Sequence, residues 1–167
     1  MGKKPLVHIR ETVIDDLSYI PIWLKQPNVL NGFPMSDDRE IQDSVALWKQ
    51  YILLNASITA LYKKTPCGCA NLYIQTIEKL RHQCLFVILV DEKYRGMGIG
   101  TLLIQGMKKR AREKFGIELL HLEVYENNRA IRLYERMGFV EYGRHPKYLK
   151  EADGTYYDKI LMQQSLV

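Results

Sequence analysis

The apolar run CLFVILV at residues 84–90 constrains this chain more than any other segment. It is rich in β-branched residues and lacks the alternation of a half-exposed strand. It therefore reads as a central strand covered on both faces, which requires layers above and below it. DEKYRGMGIG follows at 91–100, and beyond it Ile99, Leu102, Leu103, Gly106, Met107 and Phe115 fall on one face of a helix spanning 99–115. A buried strand thus passes into a helix through Gly96, Gly98 and Gly100. At such a junction the first N–H groups of the helix have no internal partner, and the helix dipole makes that end partly positive. Glycine has no Cβ and tolerates positive φ, so a ligand can approach the backbone. Arg95 to Thr101 is therefore a candidate pyrophosphate cradle.

Two other phosphate loops fail on spacing. A Walker A loop needs Gly-Lys-Ser/Thr, whereas Gly100-Thr101-Leu102 stands here. A dinucleotide fingerprint places its third glycine three positions after the second and follows the first strand of its unit. Here the glycines alternate and follow the fourth strand. A plain turn that packs a helix on a sheet is the simplest alternative.

The remaining segments supply one mixed α/β layer structure. LVHIRE (6–11) reads as a strand, and 14–25 as a helix stopped by Pro27. NGFPM (31–35) is a loop, and Asp37 with Glu40 forms a capping box ahead of the helix IQDSVALWKQY. Residues 54–64 and 69–77 form a hairpin turning at TPCG. LLHLEVY (119–125) is a strand, and RAIRLYERMG (129–138) a helix ending on Gly138. FVEYGRHPKYLK and TYYDKILMQ are two closing strands with a turn at Asp153-Gly154. With no repeat or linker-like stretch, the expectation is a single domain over 1–167 with its core at about 6–163.

The apolar fraction is 47% and the charged fraction 26%, both ordinary for a globular protein. No apolar run approaches the ~20 residues that cross a bilayer, and no apolar segment follows Lys3 and Lys4, so a cytoplasmic protein is expected. Cys67, Cys69 and Cys84 cannot all pair with one another and lack zinc spacing, so free thiols and no metal are expected. The net charge of +5 favours polyanions, either nucleic acid or a phosphorylated small molecule. KKRAR (108–112) has no nucleic-acid reading module around it, so nucleic acid ranks last.

YRGMGIGTLL, after a β-run ending in Val90, resembles the Arg/Gln-x-x-Gly-x-Gly/Ala loop of the GNAT N-acetyltransferase superfamily. HLEVYENNRAIRLYERMGF (121–139) is similar to the family's fifth strand and following helix, with Asn127, Ala130, Leu133-Tyr134 and Gly138-Phe139 as landmarks. The resemblance covers nearly the whole chain, and its nearest branches are the ribosomal-protein N-terminal and small-amine acetyltransferases. It implies a sheet of about seven mostly antiparallel strands, helices on both faces, and a splay between strands 4 and 5. It also implies acetyl-CoA as donor and a primary amine as acceptor, either a protein N-terminus or a small molecule. A homodimer is compatible with it.

By position, the backbone of Ile88, Leu89 and Val90 would pair with the pantetheine arm. Arg95, Gly96, Met97, Gly98, Ile99, Gly100 and Thr101 would hold the pyrophosphate, and Asn127 the pantetheine region. Counted forward from Val124, the family asparagine falls instead on Asn128, as if the loop were one residue short. Counting back from Tyr134 favours Asn127. Lys108, Lys109 and Arg110 form a solvated helix face or, alternatively, approach the 3′-phosphate of CoA.

Acetyl transfer needs a neutral amine, a donor for the oxyanion and a proton for the departing thiolate. Tyr134 has the matching position for the proton donor, with a phenol pKa of ~10 against ~8.5 for a thiol. Glu123 stands in Leu-Glu-Val as a glutamate does in the ribosomal-protein alanine acetyltransferases that the chain resembles. It is the candidate base or else a solvent-facing strand residue; Asp158, Glu126, His145 or no dedicated base are the alternatives. The loop 26–36 and the late hairpin 145–155 would wall the acceptor site, with Phe33, Tyr148, Tyr156 and Tyr157 lining it or simply packing. The competing function is a CoA-binding sensor of the same fold without catalysis.

Overall fold

The computed structural model describes residues 6–167, so Lys3 and Lys4 lie outside the described residues. Seven strands form one sheet: β1 (Val7–Glu11), β2 (Ser57–Tyr62), β3 (Thr65–Tyr73), β4 (Gln83–Val90), β5 (Leu119–Tyr125), β6 (Val140–Lys150) and β7 (Tyr156–Ser165). Their spatial order is β1-β2-β3-β4-β5-β7-β6. Every neighbouring pair is antiparallel except β4 and β5.

The alternation of side chains divides the core in two. Phe86 on β4 and Leu120, Leu122 and Val124 on β5 face α4 (Ile99–Phe115) and α5 (Ile131–Arg136). Cys69 on β3 and Leu89 on β4 face the opposite way, beneath α1 (Tyr19–Leu24), α2 (Pro27–Leu30) and α3 (Asp38–Leu53). The doubly covered β4 and the helices on both faces match the sequence reading. So does the capping box of α3: the Glu40 N–H donates to Asp37 Oδ1 at 2.8 Å, and Glu40 Oε2 accepts from the Asp37 N–H at 3.4 Å.

Three local expectations change. The helix expected over 14–25 is a 3-10 turn (Ile14–Ser18) followed by α1. In a continuous helix, Pro21 would clash with the carbonyl four residues back; at the third position of α1 its missing N–H costs nothing. The tight turn is also held from below. Arg10 donates to both carboxylate oxygens of Asp16 at 2.6 and 2.9 Å, and Thr59 Oγ1 donates to one at 2.9 Å. Pro27 starts α2 as well as ending what precedes it, because proline suits the first helical position.

The hairpin turns at Lys63-Lys64 and not at TPCG, which lies within β3. Both lysines have positive φ, 47° and 77°, as a two-residue turn matching the strand twist demands. Finally, the helix expected at 129–138 contracts to α5. Cys67, Cys69 and Cys84 are buried free thiols. No helix among the described residues is long and apolar enough to cross a membrane.

Candidate active site

β4 and β5 pair only where Gln83, Cys84 and Leu85 face Leu119, Leu120 and His121. Beyond those residues β4 stays with β3 as far as Val90, β5 stays with β7 as far as Tyr125, and the two separate. The Asp91 N–H bonds to the Cys67 carbonyl at 3.0 Å, which sets the alternation along β4. The backbone groups of Val87 and Leu89 therefore turn to β3, and those of Phe86, Ile88 and Val90 open into the gap. Leu89 thus departs from the sequence expectation: its polar backbone is already used by Cys69. On β5, the Glu126 N–H bonds to the Asp158 carbonyl at 3.1 Å, so Glu123 and Tyr125 present backbone groups to the gap. The gap is the floor of a cleft of about 1150 Å³.

The glycine loop closes one end of this cleft. Gly96 and Gly98 have φ of 75° and 78°, and an added Cβ at either would meet nothing within 4 Å. Gly100 is different: its Cβ would stand 2.8 Å from Leu133 Cδ2, so it is a glycine of close helix–helix packing. The first hydrogen bond of α4 runs from the Leu102 N–H to the Gly98 carbonyl at 3.1 Å. The N–H groups of residues 96–101 have no acceptor among the described residues. An array of unpaired donors at the positive end of a helix suits an anion, and the open space before Gly96 and Gly98 lets one approach. Met97 is exposed and does not line the cleft, while Ile99 buries its side chain in the core.

Arg95 is exposed, and its Nη1 donates to the Asn28 carbonyl at 3.0 Å. That contact belongs to a brace joining residues 26–28 to the turn before the cradle. Gln26 Nε2 donates to Asp91 Oδ1 at 2.9 Å, Gln26 Oε1 accepts from the Glu92 N–H at 2.9 Å, and Asn28 bonds to Glu92. The wall carrying Phe33 is thereby fixed to the cradle. Sequence reasoning missed this brace, because its partners lie more than sixty positions apart.

Both asparagines line the cleft and differ in their bonding. Asn128 Oδ1 accepts from the Ala130 N–H at 2.9 Å and so caps the turn into α5, and its Nδ2 lies against Gly32. Asn127 is exposed, lines the cleft and has no hydrogen bond among the described residues. Tyr134 is only 8% exposed, with its ring edge-on to Phe86 and Phe139 at centroid distances of 6.2 Å. Its hydroxyl has no partner among the described residues, yet it is not sealed from solvent; it opens to the cleft. Burial pushes the phenol well above its ordinary pKa.

Glu123 also lines the cleft, on the face opposite Leu122 and Val124. Its carboxylate is 2.9 Å from Lys159 Nζ, which in turn lies 3.7 Å from the centroid of Tyr148. Asp158, Glu126 and His145 are not among the cleft residues. Asp158 accepts from the Lys147 N–H, Arg144 lies 3.6 Å from both carboxylates, and His145 packs edge-on to Tyr148. Phe33 lines the cleft, whereas Tyr148 stacks on Tyr125 and Tyr156 lies beneath Lys147 and Lys150. Tyr157 sits opposite Leu149 in the β6–β7 pairing.

None of residues 108–112 lines the cleft. Lys108 bonds to the Met137 carbonyl, and Arg110 pairs with Glu11 at 3.0 Å. Lys109, Arg110 and Lys114 border a separate groove beside β1.

The acetyltransferase (GNAT) family model matches residues 21–139. The chain is 35% identical over 91 residues to an N-alpha-acetyltransferase of Sulfurisphaera tokodaii, covering 53% of each chain. It is 36% identical over 78 residues to a [ribosomal protein bS18]-alanine N-acetyltransferase of Haemophilus influenzae, covering 47% of this chain and 53% of that one. The matches span about half the length of these relatives. The fold superposes on yncA of Salmonella typhimurium, solved with its cofactor acetyl-CoA. The TM-score is 0.82 at 20% identity, over 98% of this chain and 95% of that one. Every residue named above as lining the cleft falls inside the matched segment 21–139, and the chain belongs to the acetyltransferase (GNAT) family.

Proposed function

We propose that this protein is a single-domain, acetyl-CoA-dependent N-acetyltransferase that acts in the cytoplasm on a primary amine, either a protein N-terminus or a small molecule. The observation that carries the reading is the row of unpaired N–H groups at 96–101, standing at the end of a gap between two sheet strands. A pyrophosphate fits the first, and an extended amide-bearing arm fits the second. Acetyl-CoA supplies an activated acetyl group as a thioester.

The chain's own residues then divide the work. The free backbone groups of Ile88 and Val90 hold the arm in register and offer an N–H to the carbonyl oxygen as negative charge develops there. Asn127 has a free amide to add. The acceptor enters between Phe33 and Glu123, on the side away from the cradle. Glu123 takes the proton of the incoming ammonium, directly or through water; of the candidate bases it is the one that lines the cleft. Lys159 holds its carboxylate in place.

Tyr134 gives its proton to the departing thiolate. Burial raises the pKa of its phenol and so favours the protonated form that can donate. It also makes the phenol a weaker acid, so its contribution falls at the low end of general acid catalysis.

The test is release of free thiol from acetyl-CoA in the presence of peptides and small primary amines. Turnover with one acceptor class supports the reading. Tight binding of acetyl-CoA without turnover on any acceptor would make the protein a CoA sensor, and no binding would remove the cofactor assignment.

A further inference from the structure

We infer that Arg129 and Arg136 form a second phosphate subsite beside the cradle, taking the 3′-phosphate monoester of the CoA nucleotide. The inference rests on reading the cleft as a CoA site and adds an anion subsite to it. Both arginines line the cleft. Both are exposed, and neither has a carboxylate or hydrogen-bond partner among the described residues. The cleft's two carboxylates, by contrast, are both engaged: Glu92 by Asn28 and Glu123 by Lys159. Asn28 is neutral and leaves Glu92 its charge, but Lys159 offsets Glu123, so Arg95, Arg129 and Arg136 stand against one uncompensated carboxylate and the cleft lining is net positive.

The placement follows from the packing of two helices. Leu133 lies against Gly100 in the first turn of α4, so that face of α5 abuts the free N–H groups. Arg136 follows Leu133 by three positions on the same face, and Arg129 precedes it by four, in the turn that opens α5. Both arginines thus line the same cleft as the cradle, at the two ends of the segment that packs on the first turn of α4 through Leu133. The N–H array suits the pyrophosphate, while a phosphate monoester beside it carries up to two further charges and matches the guanidinium fork. Arg132 provides a control within the same short segment: it is equally exposed and does not line the cleft.

The experiment measures binding of CoA and dephospho-CoA to the full chain by calorimetry at two ionic strengths. Arg136→Gln and Arg129→Gln should each weaken CoA by about tenfold, the size of one charge-assisted hydrogen bond, and leave dephospho-CoA within about twofold. Arg136→Lys should recover part of the loss, and Arg132→Gln should change neither ligand. Added salt should weaken CoA more than dephospho-CoA in the parent protein. Equal weakening of both ligands, or no change in either, overturns the subsite while leaving the cradle intact. Failure of the parent protein to bind either ligand overturns the CoA reading and the subsite with it.

Discussion

Gly98 and Gly100 stand two positions apart, and each should fail for its own reason when given a side chain. At Gly98 φ is +78°, so alanine must hold the left-handed conformation at a cost of ~1–2 kcal/mol. In a domain of this length each kcal/mol lowers the melting temperature by ~2–4 °C, which gives a drop of roughly 2–8 °C. No atom lies within 4 Å of the new methyl group, so packing adds nothing to that cost. The methyl group instead enters open space at the loop whose N–H groups are free, where an approaching phosphate would meet it. Acetyl-CoA should therefore bind more than tenfold more weakly, a loss above ~1.4 kcal/mol.

At Gly100 the backbone is helical, and alanine gains up to ~1 kcal/mol of helix propensity. Its Cβ would sit 2.8 Å from Leu133 Cδ2, an overpacking that costs ~1–3 kcal/mol. The net change is a loss of about 0–3 kcal/mol by the same two terms. Truncating Leu133 to alanine in the Gly100→Ala background should relieve the overpacking component. Thermal unfolding and calorimetric titration with acetyl-CoA separate the two cases. A folded Gly98→Ala variant that binds acetyl-CoA as tightly as the parent would refute the argument that a phosphate meets the backbone there.

Further outcomes are expected. Tyr134→Phe should bind acetyl-CoA normally and lose roughly ten- to a hundredfold in kcat, because a bond made only in the transition state spares ground-state affinity; full activity with the best acceptor would leave Tyr134 a packing residue. Asn128→Ala should lower stability by ~0.5–2 kcal/mol through loss of its cap, whereas Asn127→Ala should leave melting unchanged and weaken acetyl-CoA binding. The reverse pattern would exchange their roles. Burial opposes ionisation of Asp16, but hydrogen bonds from Arg10, Val13 N–H and Thr59 outweigh it, so its carboxyl lies below the ordinary value. Its stabilisation is then complete above the unfolded value of ~3.9 and is lost as pH falls through the lower folded value. Melting measured from pH 5 downward should show an acid limb that Asp16→Asn reduces; an unchanged limb would assign it to other carboxylates.

What the sequence determined by itself was local. CLFVILV announced a strand buried on both faces, because no alternating pattern offered it to water. The alternating glycines announced a junction where a ligand could reach the backbone, because only glycine takes positive φ without strain. Asp37 and Glu40 announced a helix start, since their hydrogen bonds close within one turn. The tertiary structure decided what depends on direction and on distant partners. Gly100 looked like Gly98 until Leu133, on another helix, was seen to fill its space. Counting back from Tyr134 favoured Asn127 over Asn128, but only the structure showed that the Asn128 amide is spent on the turn into α5 while that of Asn127 has no bond among the described residues. The basic run 108–112 could be a solvated face or a phosphate contact on sequence alone; its helix turns Arg110 toward Glu11 and Lys108 toward Met137, while Arg129 and Arg136 line the cleft. Hydrophobic period and backbone permissiveness are written in neighbouring residues. Which face a charge presents, and what meets it there, is fixed only when strands and helices far apart in sequence have packed.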